Sequence, residues 1–218
     1  MSKLWIFGDS ILKGVTMDAS GRYVLCQSRN FDTLAEAGVE VCNRSKMGAT
    51  VDKGAQIVEK SEGVDGLVLL EYGGNDCDYD WESIAQNPQG EHAPKLSLSS
   101  YKEIYRKLIR SLKQAGRQVM LCALPPIDAV KYFAHITKDR AAENILKWLG
   151  DVSMLSRWQE IYSAAVRELA LEEGCPLVDL RTPFLESHRF EELLSADGIH
   201  PTQAGHDLIE RTLRAAVC

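Results

Sequence analysis

Apolar residues in this chain come in short, nearly unbroken runs, and stretches with helical spacing separate them. The runs are LWIF at 4–7, VEVC at 39–42, GLVLLEY at 66–72, QVMLCAL at 118–124 and PLVDL at 176–180. A strand covered on both faces is apolar at every position rather than every second one, so these read as buried parallel strands. Between them, 101–116 places Ile104, Leu108, Ile109 and Leu112 on one helical stripe, with Gly116 set to stop it. The stretch 157–174 repeats that logic and ends at Gly174, 138–150 reads as an amphipathic helix, and 201–217 closes the chain as a last helix. Apolar spacing of helical type also resumes directly after Ser10, predicting a helix there.

Strand alternating with helix implies βαβ units with right-handed crossovers. The expectation is an α/β protein: a three-layer α/β/α sandwich with about five parallel strands. No Ser/Gly linker, internal repeat or low-complexity tract divides the chain, so 1–218 reads as a single domain. Two stretches break the rhythm, near 77–98 and 126–152. Each follows the carboxyl end of a strand, where ligands bind in open α/β sheets, which makes them candidate lids.

Composition narrows the field. The 218 residues suit one large domain with a substantial core, and 45% hydrophobic with 26% charged residues is ordinary for a globular protein. The net charge of −6, from 31 acidic and 25 basic residues, argues against a nucleic-acid partner. No run approaches the roughly 18 apolar residues of a membrane span, and the first residues lack a signal-peptide core. The six cysteines, at 26, 42, 77, 122, 175 and 218, form no CxxC pair. They read as reduced thiols in a cytoplasmic protein.

Three stretches, each after or near the end of an apolar segment, carry candidate chemistry: Gly8-Asp9-Ser10, Tyr72-Gly73-Gly74-Asn75-Asp76 and, just before the final helix, Asp197-Gly198-Ile199-His200-Pro201. Gly48, after the second strand, is a weaker fourth. By itself Ser10 reads as a turn or cap residue. A serine that attacks an acyl carbon needs a histidine to take its proton and a carboxylate to orient that histidine. The developing oxyanion needs hydrogen-bond donors. Ser10 can supply the hydroxyl, His200 the base, and Asp197, three residues earlier, its partner. The Ser10 N–H, the Gly48 N–H and the Asn75 amide are the candidate oxyanion donors. Gly48 also fits a plain tight turn, and Asp197 a helix cap. Asp9 is expected to point away from the site or to cap a helix.

Taken in order, Gly8-Asp9-Ser10, Gly48, Gly73-x-Asn75-Asp76 and Asp197-x-x-His200 resemble the motif blocks of the GDSL/SGNH hydrolase family. The blocks span residues 8–201, although only about ten positions carry them. Each motif is weak alone; four in this order and placement are specific. The resemblance implies a flavodoxin-like sandwich and a serine esterase acting on small-molecule esters with no cofactor and no metal. It implies Ser10, His200 and Asp197 as catalytic residues, and Ser10, Gly48 and Asn75 as the oxyanion hole. Small O-acyl esters are the expected substrates. A lysophospholipase, a thioesterase or an acyltransferase would use the same residues. The reading from another class is a non-catalytic flavodoxin-like binding module with a vestigial site, which should have lost one member of the set.

Asp76, Asp78 and Asp80 alternate like the start of a calcium loop. That loop needs glycine at its sixth position and glutamate at its twelfth, where this chain has Trp81 and Asn87. The acids therefore read as a solvated turn. Tyr79, Trp81, Tyr132, Phe133 and Trp148 in the two insertions could line an acyl or sugar pocket, pack the insertions onto the sheet, or form a homo-oligomer interface.

Overall fold

The computed structural model describes residues 2–218. Its elements follow the apolar runs closely. Strand β1 (Ser2–Gly8) is followed by a short hairpin, β2 (Val15–Met17) with β3 (Tyr23–Leu25), and then α1 (Asp32–Glu36) and β4 (Val39–Asn43). Next come α2 (Val51–Glu59), β5 (Leu67–Glu71), α3 (Trp81–Gln86), α4 (Leu98–Gln114) and β6 (Gln118–Ala123). The chain ends with α5 (Ala129–Thr137), α6 (Ala142–Leu149), α7 (Met154–Glu172), β7 (Leu177–Asp179), α8 (Arg181–Leu185), α9 (Phe190–Leu193) and α10 (Gln203–Val217).

Five of these strands form one parallel sheet in the order β4-β1-β5-β6-β7. By position among the sheet strands this is 2-1-3-4-5, the flavodoxin-like winding, and the direction of winding reverses between β1 and β5. Alternate residues of each strand feed opposite layers. Trp5, Phe7, Val68, Leu70, Val119 and Leu121 pack under α2, α4 and α7. Leu4, Ile6, Leu69, Met120, Cys122 and Val178 pack under α1, α8, α9 and α10. Burial on both faces is why the runs are continuous in the sequence rather than alternating.

Local chemistry sets several helix ends. Ser97 caps α4 by accepting from the Ser100 N–H at 3.2 Å, and at the far end Gly116 turns the chain with φ +77°. Asp128 caps α5 through the Val130 and Lys131 N–H groups, both at 3.0 Å, and Thr202 caps α10.

One predicted helix is absent. The chain from Ser10 to Gly14 is a tight turn that leads into the β2–β3 hairpin. Four residues are too few to nucleate a helix before Gly14 (φ +81°) redirects the backbone. The hairpin is instead tied to the opposite end of the sequence. His206 on α10 donates from Nε2 to the Val15 carbonyl at 2.9 Å, and Thr16 meets Ser195 at 3.3 Å.

The two insertions fold against each other. Trp81, Ile84 and Ala85 from the first, and Ile136, Ile145 and Leu149 from the second, form a third apolar cluster with Leu155 of α7. The Asn144 amide donates to the Ala85 carbonyl at 2.7 Å, linking α6 to α3. No helix among the described residues is long and apolar enough to cross a membrane. No disulfide joins any two of the six cysteines.

Candidate active site

Ser10 stands in the turn just beyond β1 and Asn75 just beyond β5, on the two sides of the crevice where the winding reverses. The loop before α10 brings Asp197 and His200 to the same place, although 190 residues separate His200 from Ser10. His200 Nε2 lies 2.8 Å from Ser10 Oγ, and His200 Nδ1 lies 2.6 Å from Asp197 Oδ2. The second Asp197 oxygen accepts the N–H groups of Ile199 at 3.0 Å and His200 at 3.1 Å. All three side chains are buried. Burial by itself would raise the Asp197 pKa, but the bond and charge of the His200 ring and the two backbone donors outweigh it and hold it below the usual carboxylate range. An ionised Asp197 leaves Nδ1 as the protonated ring nitrogen and Nε2 free to accept a proton from Ser10.

The candidate oxyanion donors converge on the same cleft. Ser10, Gly48 and Asn75 all line it. Among the described residues, neither the Ser10 N–H nor the Gly48 N–H meets an acceptor. Gly48 takes φ +73°, which a side chain would disfavour. At Gly73 (φ +143°) a Cβ would come within 2.7 Å of Leu124 and 2.9 Å of the Tyr101 hydroxyl. Glycine there lets the Gly73–Asp76 turn sit close over the sheet and present Asn75.

Asp9 does not point away from the site. Its Oδ2 accepts from the Asn75 amide at 3.0 Å and its Oδ1 from the Ile11 N–H at 2.8 Å. The helix it was expected to cap does not exist, so its carboxylate closes the Ser10 turn and reaches across to β5 instead. Nor is the acidic stretch after β5 a solvated turn. Asp76 is fully buried and accepts from the Val51 N–H at 2.8 Å, and burial pushes its pKa up to about 7. Asp78 accepts from Trp81, Tyr132 and Lys95, and Asp80 caps α3. The three alternating acids thus point to three separate tasks. No group of three or more His, Cys, Asp or Glu side chains able to hold a metal occurs among the described residues.

Sequence reasoning missed two further neighbours. Tyr23, on β3, lays its ring 4.9 Å from that of His200, and nothing in the motif pattern marks it. Glu71 lies under Ser10, with its Oε2 accepting the Asp9 N–H at 3.3 Å. Its signal was a charged residue closing an otherwise apolar strand run. Three of the four other histidines have partners of their own: His206 holds the hairpin, His92 bonds the Asn87 carbonyl, and His135 contacts the Tyr23 hydroxyl.

The cleft encloses about 180 Å³, and its far wall is mostly apolar. Leu124, Pro125, Trp148, Leu149, Leu155 and Trp158 form that wall, and Ser10 and His200 line the same cleft. Tyr79 joins Trp81, Trp148 and Trp158 in edge-on or tilted contacts at 4.9–5.8 Å. Several insertion aromatics therefore do two things at once: they pack on one another and they face the cleft.

A model of the GDSL-like lipase/acylhydrolase family matches residues 6–208. A GDSL esterase/lipase of Arabidopsis thaliana is 28% identical over 146 residues, covering 66% of this chain and 50% of the relative. The chain thus spans about half the length of the curated relative it matches. Among solved structures, a lipase/acylhydrolase from Enterococcus faecalis aligns with a TM-score of 0.70 at 20% identity, covering 99% of this chain and 94% of the other. An acetyl xylan esterase from Geobacillus stearothermophilus aligns with a TM-score of 0.69, also at 20% identity and with the same coverage. At these identities the two structures speak for the fold.

Proposed function

Because this chain belongs to the GDSL-like lipase/acylhydrolase family, we propose that it is a serine esterase that cleaves O-acyl esters through an acyl-Ser10 intermediate. The observation that carries this reading is the continuous hydrogen-bonded chain from Ser10 through His200 to Asp197, at 2.8 and 2.6 Å. Ser10 Oγ attacks the ester carbonyl carbon as His200 Nε2 takes its proton. Asp197 stabilises the resulting imidazolium. The Ser10 and Gly48 N–H groups and the Asn75 amide bind the oxyanion. His200 then gives its proton to the leaving alkoxide, and the acyl group stays on Ser10. A water enters, loses a proton to His200, attacks the acyl carbon and releases the acid, and the proton returns to Ser10 Oγ.

The apolar wall seats a compact hydrocarbon or aryl group on one side of the scissile bond. An apolar cavity of roughly 150 Å³ is enough to take a benzene ring, so a cleft of about 180 Å³ has room for more than an acetyl group. The acetyl ester named for the Geobacillus protein supports the shorter end of the range. The insertion at 126–152 gives Trp148 and Leu149 to this wall, the insertion at 77–98 adds Tyr79 and Trp81 to the same cleft, and residues 1–218 work as one unit.

The test is hydrolysis of p-nitrophenyl esters from acetate to long chains by the wild type and Ser10→Ala. Turnover by the wild type, with a fall of at least roughly 10³-fold in the variant at unchanged melting temperature, is expected for a nucleophile. Equal turnover by both proteins removes Ser10 from the reaction.

A further inference from the structure

Beneath the proposed site lie three carboxyl groups, Asp9, Glu71 and Asp76, exposed by no more than 2%. No lysine or arginine pairs with any of them among the described residues. Asp9 and Glu71 share one buried space, with the Asp9 N–H 3.3 Å from Glu71 Oε2, and the two carboxyl groups act on each other's protonation. Two ionised carboxylates cannot share such a space, so one of them holds a proton.

The surrounding donors decide which one. Asp9 accepts two N–H groups through its carboxylate, from Ile11 and from Asn75. Glu71 accepts a single one, the Asp9 N–H at 3.3 Å. The carboxyl with more donors around it keeps the charge. Burial and the neighbouring negative charge of Asp9 push the Glu71 pKa well above the usual range, which agrees with a proton resident on Glu71. Gly8 leaves room for this group, since a Cβ there would stand 3.1 Å from Glu71 Oε2.

We propose that Glu71 is a positioning residue whose protonated carboxyl donates to Asp9, keeping Asp9 an acceptor and so holding the Asn75 amide with its N–H groups turned to the site. An amide has two faces. With Asp9 ionised, one Asn75 N–H is committed to Asp9 and the other is left for the oxyanion. Were the proton on Asp9, that carboxyl could donate to the Asn75 carbonyl oxygen, and the amide would turn round. A carbonyl oxygen would then face the place where negative charge develops. The titratable groups facing the pair are Asp76 and Tyr72 after β5, Tyr101 and Tyr105 on α4, Cys122 on β6, Cys77 beyond β5, and His200. Of these only His200 can become a cation, so no other side chain compensates a second negative charge.

This inference rests on Asn75 acting as an oxyanion donor in an esterase, and its test separates the two ideas. Glu71→Gln keeps a donor for Asp9 and an acceptor for the Asp9 N–H; Glu71→Leu removes both. With p-nitrophenyl acetate, Glu71→Gln should retain kcat within about threefold. Glu71→Leu should lose roughly 10- to 100-fold in kcat with KM little changed, inside the ~10²–10³ ceiling for losing the donor outright. In an Asn75→Ala background, Glu71→Leu should cost little more, because its effect passes through that amide. Equal losses in the Gln and Leu variants, or full activity in Glu71→Leu, overturn the proposal. A second measurement needs neither turnover nor a folded Leu variant. The infrared spectrum of Ser10→Ala at pH 8 should contain a protonated carboxyl stretch that disappears in Ser10→Ala/Glu71→Gln. An unchanged spectrum overturns the proton on Glu71. A wild type inert towards every ester defeats the esterase reading, while the infrared result still decides where the proton sits.

Discussion

The strand-end site and the insertion wall face each other across one cleft, and they are held by different kinds of force. At the strand ends each group is fixed by hydrogen bonds with a direction: Asp197 to His200, His200 to Ser10, Asp9 to Asn75. In the wall, Trp148, Trp158, Tyr79 and Trp81 are mainly ring against ring. Two of their polar edges are tied off, with Trp158 donating to the Cys77 carbonyl at 3.0 Å and Trp81 to Asp78 at 2.9 Å. Directional bonds place reacting atoms to within tenths of an ångström, but they put polar groups in the interior, which is costly. Ring packing stabilises through area and tolerates changes of shape. One side of the cleft therefore suits a reaction and the other a substrate.

The largest expected effect strikes the directional side. Asn75→Ala should reduce kcat by roughly 10²–10³-fold, with KM and melting temperature close to wild type. A change confined to KM would move Asn75 from oxyanion binding to substrate binding. The comparison sharpens with stability, because the reacting side should carry a cost that the wall does not. Asp76 titrates near pH 7 in the fold against 3.8 in the open chain. The unfolded state releases its proton first, so the fold loses stability as pH climbs from about 4 to about 7. Asp76→Asn keeps an oxygen for the Val51 N–H and escapes that loss. Its advantage over wild type in urea unfolding should be on the order of 3 kcal/mol at pH 8 and vanish below pH 4. An advantage that does not vary with pH would show that Asp76 is not a buried acid of this kind.

His206 should behave in the opposite sense. Burial holds its pKa down to about 4, so it stays neutral in the fold while the unfolded chain takes up a proton near pH 6.5. Wild type should lose on the order of 2–3 kcal/mol between pH 6.5 and pH 4 from this group. His206→Gln should flatten that part of the profile. The smallest effect belongs to the wall. Trp148→Ala should leave acetate hydrolysis within about threefold while lowering the preference for butyrate over acetate by roughly 10-fold. If acetate turnover falls as far as it does in Asn75→Ala, the wall is part of the reacting geometry and the division fails.

Much of this was legible before any coordinates. The five apolar runs are strands because continuous burial leaves an unmistakable pattern. Ser10, Gly48 and Asn75 follow the first three sheet strands, as their spacing from those runs required, while Asp197 and His200 stand in the loop just before the last helix. The helix expected after Ser10 is missing because apolar spacing over four residues cannot distinguish a helix from a turn feeding a hairpin. Asp9 and Asp76 were misplaced for a related reason. A carboxylate beside a turn looks exposed in a sequence, and only the partner 66 residues away in one case and 25 in the other shows that it is buried.

By itself, then, the sequence determined the layers, the strand order's βαβ logic and which residue types stand at each strand's carboxyl end, since those follow from periodicity and near-neighbour chemistry. Only the tertiary structure decided what meets what. It brought Ser10 to His200, laid Tyr23 on that ring, set Glu71 under Asp9 and turned the insertion aromatics into a cleft wall. Those contacts join segments from 62 to 190 residues apart, and their geometry depends on the twist and winding of the whole sheet, which no local pattern encodes.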